Sequence, residues 1–141
     1  VTVTMMTFRS QTETAVIDFK VPETLAPGKY TLQVMGGGTY QRFVTKLAPQ
    51  RFLAVDSRSL MEALGRVTAF RDDGLYAVMA VPATGIVMEQ HELPQLPQTK
   101  MLLMQDNKRL RTVSAYQDWV ENRIDLDRIV EGGAEIEITV E

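Results

Sequence analysis

The sequence predicts an α+β fold, mostly β, with sandwich-like antiparallel strands and two short helices near residues 39–48 and 57–69. Three features point there. Ala15 to Val34 reads as two alternating segments around a proline-bracketed loop. Ala15, Ile17, Phe19 and Val21 share one parity, and Tyr30, Leu32 and Val34 share another, as half-buried strands require. From Tyr40 to Val67 the apolar spacing lengthens to a helical period, and after Gly74 it shortens again.

Val1 to Phe8 is rich in β-branched and apolar residues. Arg9 to Glu13 is polar enough to turn the chain into a strand over Ala15 to Val21, so a hairpin opens it. Pro22, Pro27 and Gly28 define a loop before the strand Tyr30 to Met35, which Gly36 to Gly38 end. Tyr40, Phe43, Val44 and Leu47 fall at i, i+3, i+4 and i+7, the stripe of a short helix that stops before Pro49. A second helix is capped by Asp56 or Ser57 and carries Leu60, Met61, Leu64 and Val67 on one face. Gly65 weakens it by about 1 kcal/mol without breaking it.

Arg71 to Gly74 is a turn, and Leu75 to Val81 is apolar on both parities, which marks a central strand covered on both faces. Ile86 to Met88 and Lys100 to Gln105 are shorter strands, separated by a loop in which Pro94 and Pro97 oppose regular pairing; Gln105 to Lys108 turns again. Within Arg111 to Ile124 the residues Tyr116, Val120 and Ile124 fit both periods, and a strand is favoured. Arg128 to Val130 then leads through Gly132 and Gly133 into Ile136, Ile138 and Val140, alternating with Glu135, Glu137, Thr139 and Glu141. That pattern is a closing hairpin whose last strand has one wet face.

At 141 residues and 45% hydrophobic content, the chain can bury roughly two thirds of its unfolded surface as a single compact domain over 1–141. Within it, 1–48 form a sandwich-like edge with the first helix, and 49–141 supply the second helix and further strands. The formal charge of −3, from 18 acidic and 15 basic residues, lacks the positive field that a phosphate backbone requires, so nucleic acid is not expected as a partner. Cysteine is absent, which removes disulfides and thiolate metal sites. No apolar run approaches the roughly 20 residues that span a bilayer, so no membrane insertion of this segment is expected. The chain starts at Val1, directly in a strand, and reads as a fragment of a longer protein whose open strand edge favours a homodimer.

Little in the sequence carries chemistry. His91, the one histidine, could complete a metal site only with carboxylates, and it sits in the polar, proline-rich EQHELPQLP without a G-x-S-x-G elbow anywhere. It reads as a loop histidine. Gly36, Gly37 and Gly38 stand between a strand and a helix, where backbone N–H groups can hold an anion. They lack the Lys-Ser/Thr of a P-loop and the spaced third glycine of a dinucleotide fingerprint, so a simple turn competes with an anion site. Asp72 and Asp73 open a turn that becomes apolar too soon for an EF-hand, and no metal or cofactor is expected.

Asp125, Asp127, Glu131, Glu135, Glu137 and Glu141 read as a solvated edge guarded against strand pairing. Lys108, Arg109 and Arg111 read as a charged turn, and Pro94 to Pro97 matches P-x-x-P in letters only. Met35, Met61, Met79, Met101 and Met104 occupy expected core positions, while Met5, Met6 and Met88 have no such place.

Four segments together resemble a known arrangement: FKVPETLAPGKYTLQV, APQRFLAVDSRSLMEAL, RDDGLYAVMAVPATGIVMEQHELPQLP and RIVEGGAEIEITVE. Their order and spacing are similar to the C-terminal region of bacterial proteins whose N-terminal part is a sporulation stage IV B-like serine peptidase domain. The similarity spans roughly Glu13 to Val140 and rests on turns, caps and strands, notably Pro27 and Gly28, Leu93 and Pro94, and Gly132 and Gly133. It implies an extracytoplasmic bacterial protein, periplasmic or secreted, in which this domain accompanies a peptidase. No segment matches the peptidase motif, so no catalytic residue is carried over.

The function expected is a non-catalytic accessory or protein-interaction domain, docking another domain of its parent chain or a protein partner, for example by β-augmentation. The alternative is a glycan- or peptide-binding module that uses Trp119 and Tyr116, with Tyr40 and Tyr76 as further aromatic surfaces. On a strand, Trp119 faces away from Tyr116 and Val120 and is the ring expected to meet solvent. A carboxylate and His91 hydrolase is disfavoured, because no spacing among Glu89, Glu92, Asp72 and Asp73 sets two carboxylates across a cleft.

Overall fold

A computed structural model describes residues 1–88, 91–97, 99, 100, 102 and 113–141. The fold is mostly β, 43% strand and 24% helix, with antiparallel sheets and two helices. Its contacts divide it into two compact units, one of residues 1–43, 70–80 and 119–141, the other of residues 44–69 and 81–118.

The first unit opens with the hairpin β1 (Thr2–Met6) and β2 (Thr12–Val16), in register from Thr2 opposite Val16 to Met6 opposite Thr12. The second strand lies earlier than the expected 15–21. The turn closes at Thr7 to Gln11, where Ser10 adopts φ 59° and its N–H bonds Thr7 O at 2.9 Å, and beyond Val16 the backbone of Ile17 exchanges two hydrogen bonds with Val1, at 2.8 and 2.9 Å. Ile17 is fully buried.

A four-stranded sheet forms the body of this unit, in the order β8 (Asp118–Asp125), β4 (Gly74–Val81), β3 (Gly28–Gly36), β9 (Gly133–Val140). The doubly apolar segment is a central strand as expected, and Leu75 to Met79 are all buried. The pairing of β9 differs from expectation. It lies antiparallel to β3, with Leu32 opposite Ile136 and Val34 opposite Ala134, rather than folding back on Arg128 to Val130. Alternation specifies a strand, but the choice of neighbour belongs to long-range burial.

Helix α1 (Gly37–Leu47) follows β3 with no intervening loop, and Tyr40 lies on the sheet: its ring stacks on Tyr76 at 3.9 Å and meets Phe70 edge-on at 5.7 Å. The RDDG turn forms, with Gly74 N–H bonding Arg71 O at 3.1 Å.

In the second unit a 3-10 turn (Pro49–Phe52) precedes helix α2 (Ser57–Thr68). Asp56 caps α2 with a reciprocal Ser59 contact, the Ser59 N–H lying 2.7 Å from Asp56 Oδ1. Only Ala63 of α2 is buried, whereas Leu60, Met61, Leu64 and Val67 are 46–69% exposed, which corrects the core role expected for Met61. Helical spacing gathers apolar residues on one face but does not supply a cover for it.

A three-stranded sheet completes this unit, in the order β6 (His91–Pro94), β5 (Gly85–Met88), β7 (Val113–Ala115). His91 is therefore a strand residue opposite Met88, and Pro94 pairs opposite Gly85, where a loop was expected. Proline is tolerated because β6 is an edge strand and Pro94 is its last residue. Gln95 stands at φ 60°, far from polyproline II, which disposes of the P-x-x-P match.

The strand expected over 111–124 is interrupted at Tyr116 and Gln117, so that β7 and β8 belong to different sheets. Of the strand expected at 100–105 only Lys100 and Leu102 are described, and both are helical. Met101, Met104, the turn at 105–108 and the basic run of Lys108, Arg109 and Arg111 lie outside the described residues. Among the described residues, no helix is long and apolar enough to cross a membrane.

Candidate functional site

The first unit holds a cleft of about 560 Å³, bounded on one side by residues 3–8 of the opening hairpin and on the other by Arg128 to Ala134. Its floor includes Val34, Gly36 and Leu75 of the sheet. Two of its three most exposed apolar side chains come from one end of the hairpin: Phe8 is fully exposed at the turn and Met6 is 78% exposed, while Ile129 opposite is 70% exposed. Three exposed apolar side chains gathered at one cleft form a patch, and it is a patch rather than a single exposed ring that marks a surface for contact with another molecule.

An ion pair ties the cleft walls. Arg128 Nη1 reaches both oxygens of Glu13 at 2.5 Å, and its Nε bonds Asp127 at 2.8 Å. The guanidinium next to it holds the Asp127 carboxyl below its ordinary value. This joins β2 to the segment leading into β9 and leaves the apolar side chains between them open.

The glycine triplet sits where that segment meets the sheet. A Cβ on Gly36 would come within 1.8 Å of Val130 O, and one on Gly37 within 1.9 Å of Arg71 O. Gly36 N–H is bonded to Gly132 O at 3.1 Å. The first two glycines thus let backbones approach closely, and only Gly38 is exposed with nothing within 4 Å of its Cβ position.

Trp119 belongs to the first unit and Tyr116 to the second. Trp119 is half-buried in β8, and its indole N–H donates to Glu121 Oε2 at 2.7 Å. The same carboxylate accepts the Tyr40 hydroxyl. Burial, then the bond to Glu121, raises the Tyr40 phenol well above its ordinary value. Tyr116, also half-buried, belongs to a cluster in the second unit: Arg51 forks onto Glu92 at 2.6 and 3.0 Å, its Nη2 lies 3.4 Å from the Tyr116 hydroxyl, and Gln50 donates to Glu92 at 2.8 Å.

Burial pushes the Glu92 carboxyl up, but the bonds from Arg51 and Gln50 outweigh it, so the group titrates below its ordinary value. His91 is exposed at the edge of this cluster. Among the described residues, no three His, Cys, Asp or Glu side chains converge in a way that could hold a metal ion.

Sequence reasoning missed the cleft. Its signal was Met5 and Met6, which are harder to place than most of the other methionines, followed by Phe8 at the end of the same opening run. Comparison with known proteins finds no counterpart: no family model, no characterised protein and no solved structure matches this chain.

Proposed function

We propose that this chain is a non-catalytic protein-interaction domain that holds a segment of a partner, or of another domain of its own parent protein, against the hairpin cleft of the first unit. One observation carries the reading: the cleft of about 560 Å³ with Met6, Phe8 and Ile129 exposed at it. Apolar side chains that converge on a concavity gain most by covering one another with a partner's side chains. The polar clusters support the same reading, because Glu121 and Glu92 are each engaged by two or more donors within the fold. The resemblance to the companion region of a serine peptidase supports an extracytoplasmic bacterial setting and an accessory role within a larger protein.

Photo-cross-linking tests it. A photoreactive phenylalanine analogue placed at Phe8, with the exposed Thr24 as control, is expected to give one discrete protein adduct from position 8 and none from position 24 in cells expressing the full protein. Met6→Asp should abolish that adduct while leaving the fold intact, since Met6 is 78% exposed. Equal labelling at both positions, or adducts to lipid alone, would overturn the proposal.

A further inference from the structure

The strand β9 ends the four-stranded sheet, and among the described residues nothing pairs with its outer side. An edge strand presents a row of unpaired N–H and C=O groups, a template for another strand. Its side chains are sorted by face. Glu135 and Glu137 lie on one, both exposed, and Ile136 and Ile138 lie on the other, with Ile136 40% exposed. From Glu131 to Glu141 the chain carries four acids and no base.

The inner side of β9 already shows which strand this pattern accepts. On β3, Lys29 Nζ reaches Glu137 Oε1 at 2.7 Å and Gln33 Nε2 reaches Glu135 Oε1 at 2.7 Å. On the other face Tyr30 and Leu32 stand opposite Ile138 and Ile136. Each glutamate contributes one oxygen to these bonds, which leaves the carboxylate able to accept again from the outer side.

We infer that the outer edge of β9 takes up an extended partner strand that alternates cationic or amide side chains with apolar ones, repeating the chemistry of β3. This rests on the protein-interaction reading and names the partner's sequence class. A second copy of β9 is disfavoured as occupant, because antiparallel self-pairing would set Glu135 and Glu137 against their own kind. The acids that look like simple protection of an edge therefore reject like edges and select basic ones.

The test uses the whole chain and two peptides of about ten residues, enough to span β9: one alternates lysine with valine or isoleucine, the other alternates glutamate with the same apolar residues. The lysine peptide is expected to perturb the backbone amide resonances of residues 133–140 and to bind at least about tenfold more tightly than the glutamate peptide. Glu135→Lys with Glu137→Lys should reverse that preference, and a lysine peptide N-methylated at alternate residues should lose binding, since strand addition needs its donors.

Equal binding of the two peptides, or binding indifferent to N-methylation, would overturn strand addition. So would a dimer whose interface is β9. Perturbation of Val3 to Phe8 and Arg128 to Val130 with β9 unmoved would likewise overturn it while leaving the cleft reading in place. If cross-linking at Phe8 fails yet β9 responds to the lysine peptide, the cleft reading alone is lost.

Discussion

The Tyr40 ring lies flat on the Tyr76 ring, 3.9 Å between centroids and 4° between planes, and its hydroxyl donates to Glu121. Helix α1 is thereby fastened to β4 by stacking and to β8 by one hydrogen bond. Tyr40→Phe keeps the stack and removes the bond, so a loss of about 1 kcal/mol is expected in urea unfolding at neutral pH. Tyr40→Ala removes the ring and should cost about 3–5 kcal/mol.

The same hydroxyl predicts a dependence on alkali. Its folded value lies above the ordinary 10.0, so the neutral phenol favours the folded state. That contribution is complete below pH 10.0 and declines as pH rises towards the folded value, because the unfolded chain ionises first. Unfolding midpoints measured on either side of pH 10.0 should fall less steeply for Tyr40→Phe than for the natural chain.

At the acid end the relevant group is Glu92. Its folded value lies below the ordinary 4.5, so the carboxylate stabilises the fold above pH 4.5 and that stability is lost as pH falls through the folded value. Glu92→Gln should flatten this acid limb. Arg51→Ala leaves a partly buried carboxylate without its cation and should cost about 1–3 kcal/mol at neutral pH.

The three consecutive glycines are expected to behave differently. Gly36→Ala and Gly37→Ala drive a methyl into Val130 O and Arg71 O, and a loss on the order of 3–5 kcal/mol or outright misfolding should follow. Gly38→Ala meets nothing and lies inside α1, so it should be neutral or stabilising by up to about 1 kcal/mol. An anion site built on all three N–H groups would instead make the three substitutions similar in their effect on bound phosphate, which a phosphate titration followed by amide shifts would register.

Loss of the α2 cap provides a local measurement. Asp56→Ala deletes the acceptor for Ser59 N–H and should cost about 1 kcal/mol, seen as faster amide exchange in residues 57–60 before any change in the sheets.

The two helices, the RDDG turn and the central position of Leu75 to Val81 were legible in the sequence, because each is marked within a few residues: by a period, a cap, a glycine, or a run apolar on both parities. What the sequence could not reveal were matters of partnership. Ile136 and Ile138 announce a strand, yet nothing local directs them to Leu32 and Tyr30. Leu60 and Leu64 announce a helical face, yet the chain leaves that face exposed.

Pro94 argues against a strand until the tertiary structure puts it at the end of an edge. Met6 and Phe8 acquire meaning only once Ile129 stands across a cleft from them. Periodicity records which side of an element is apolar, and it acts through neighbouring residues. Which surface covers that side is decided by burial summed over segments about a hundred residues apart in the chain, as between Leu32 and Ile136.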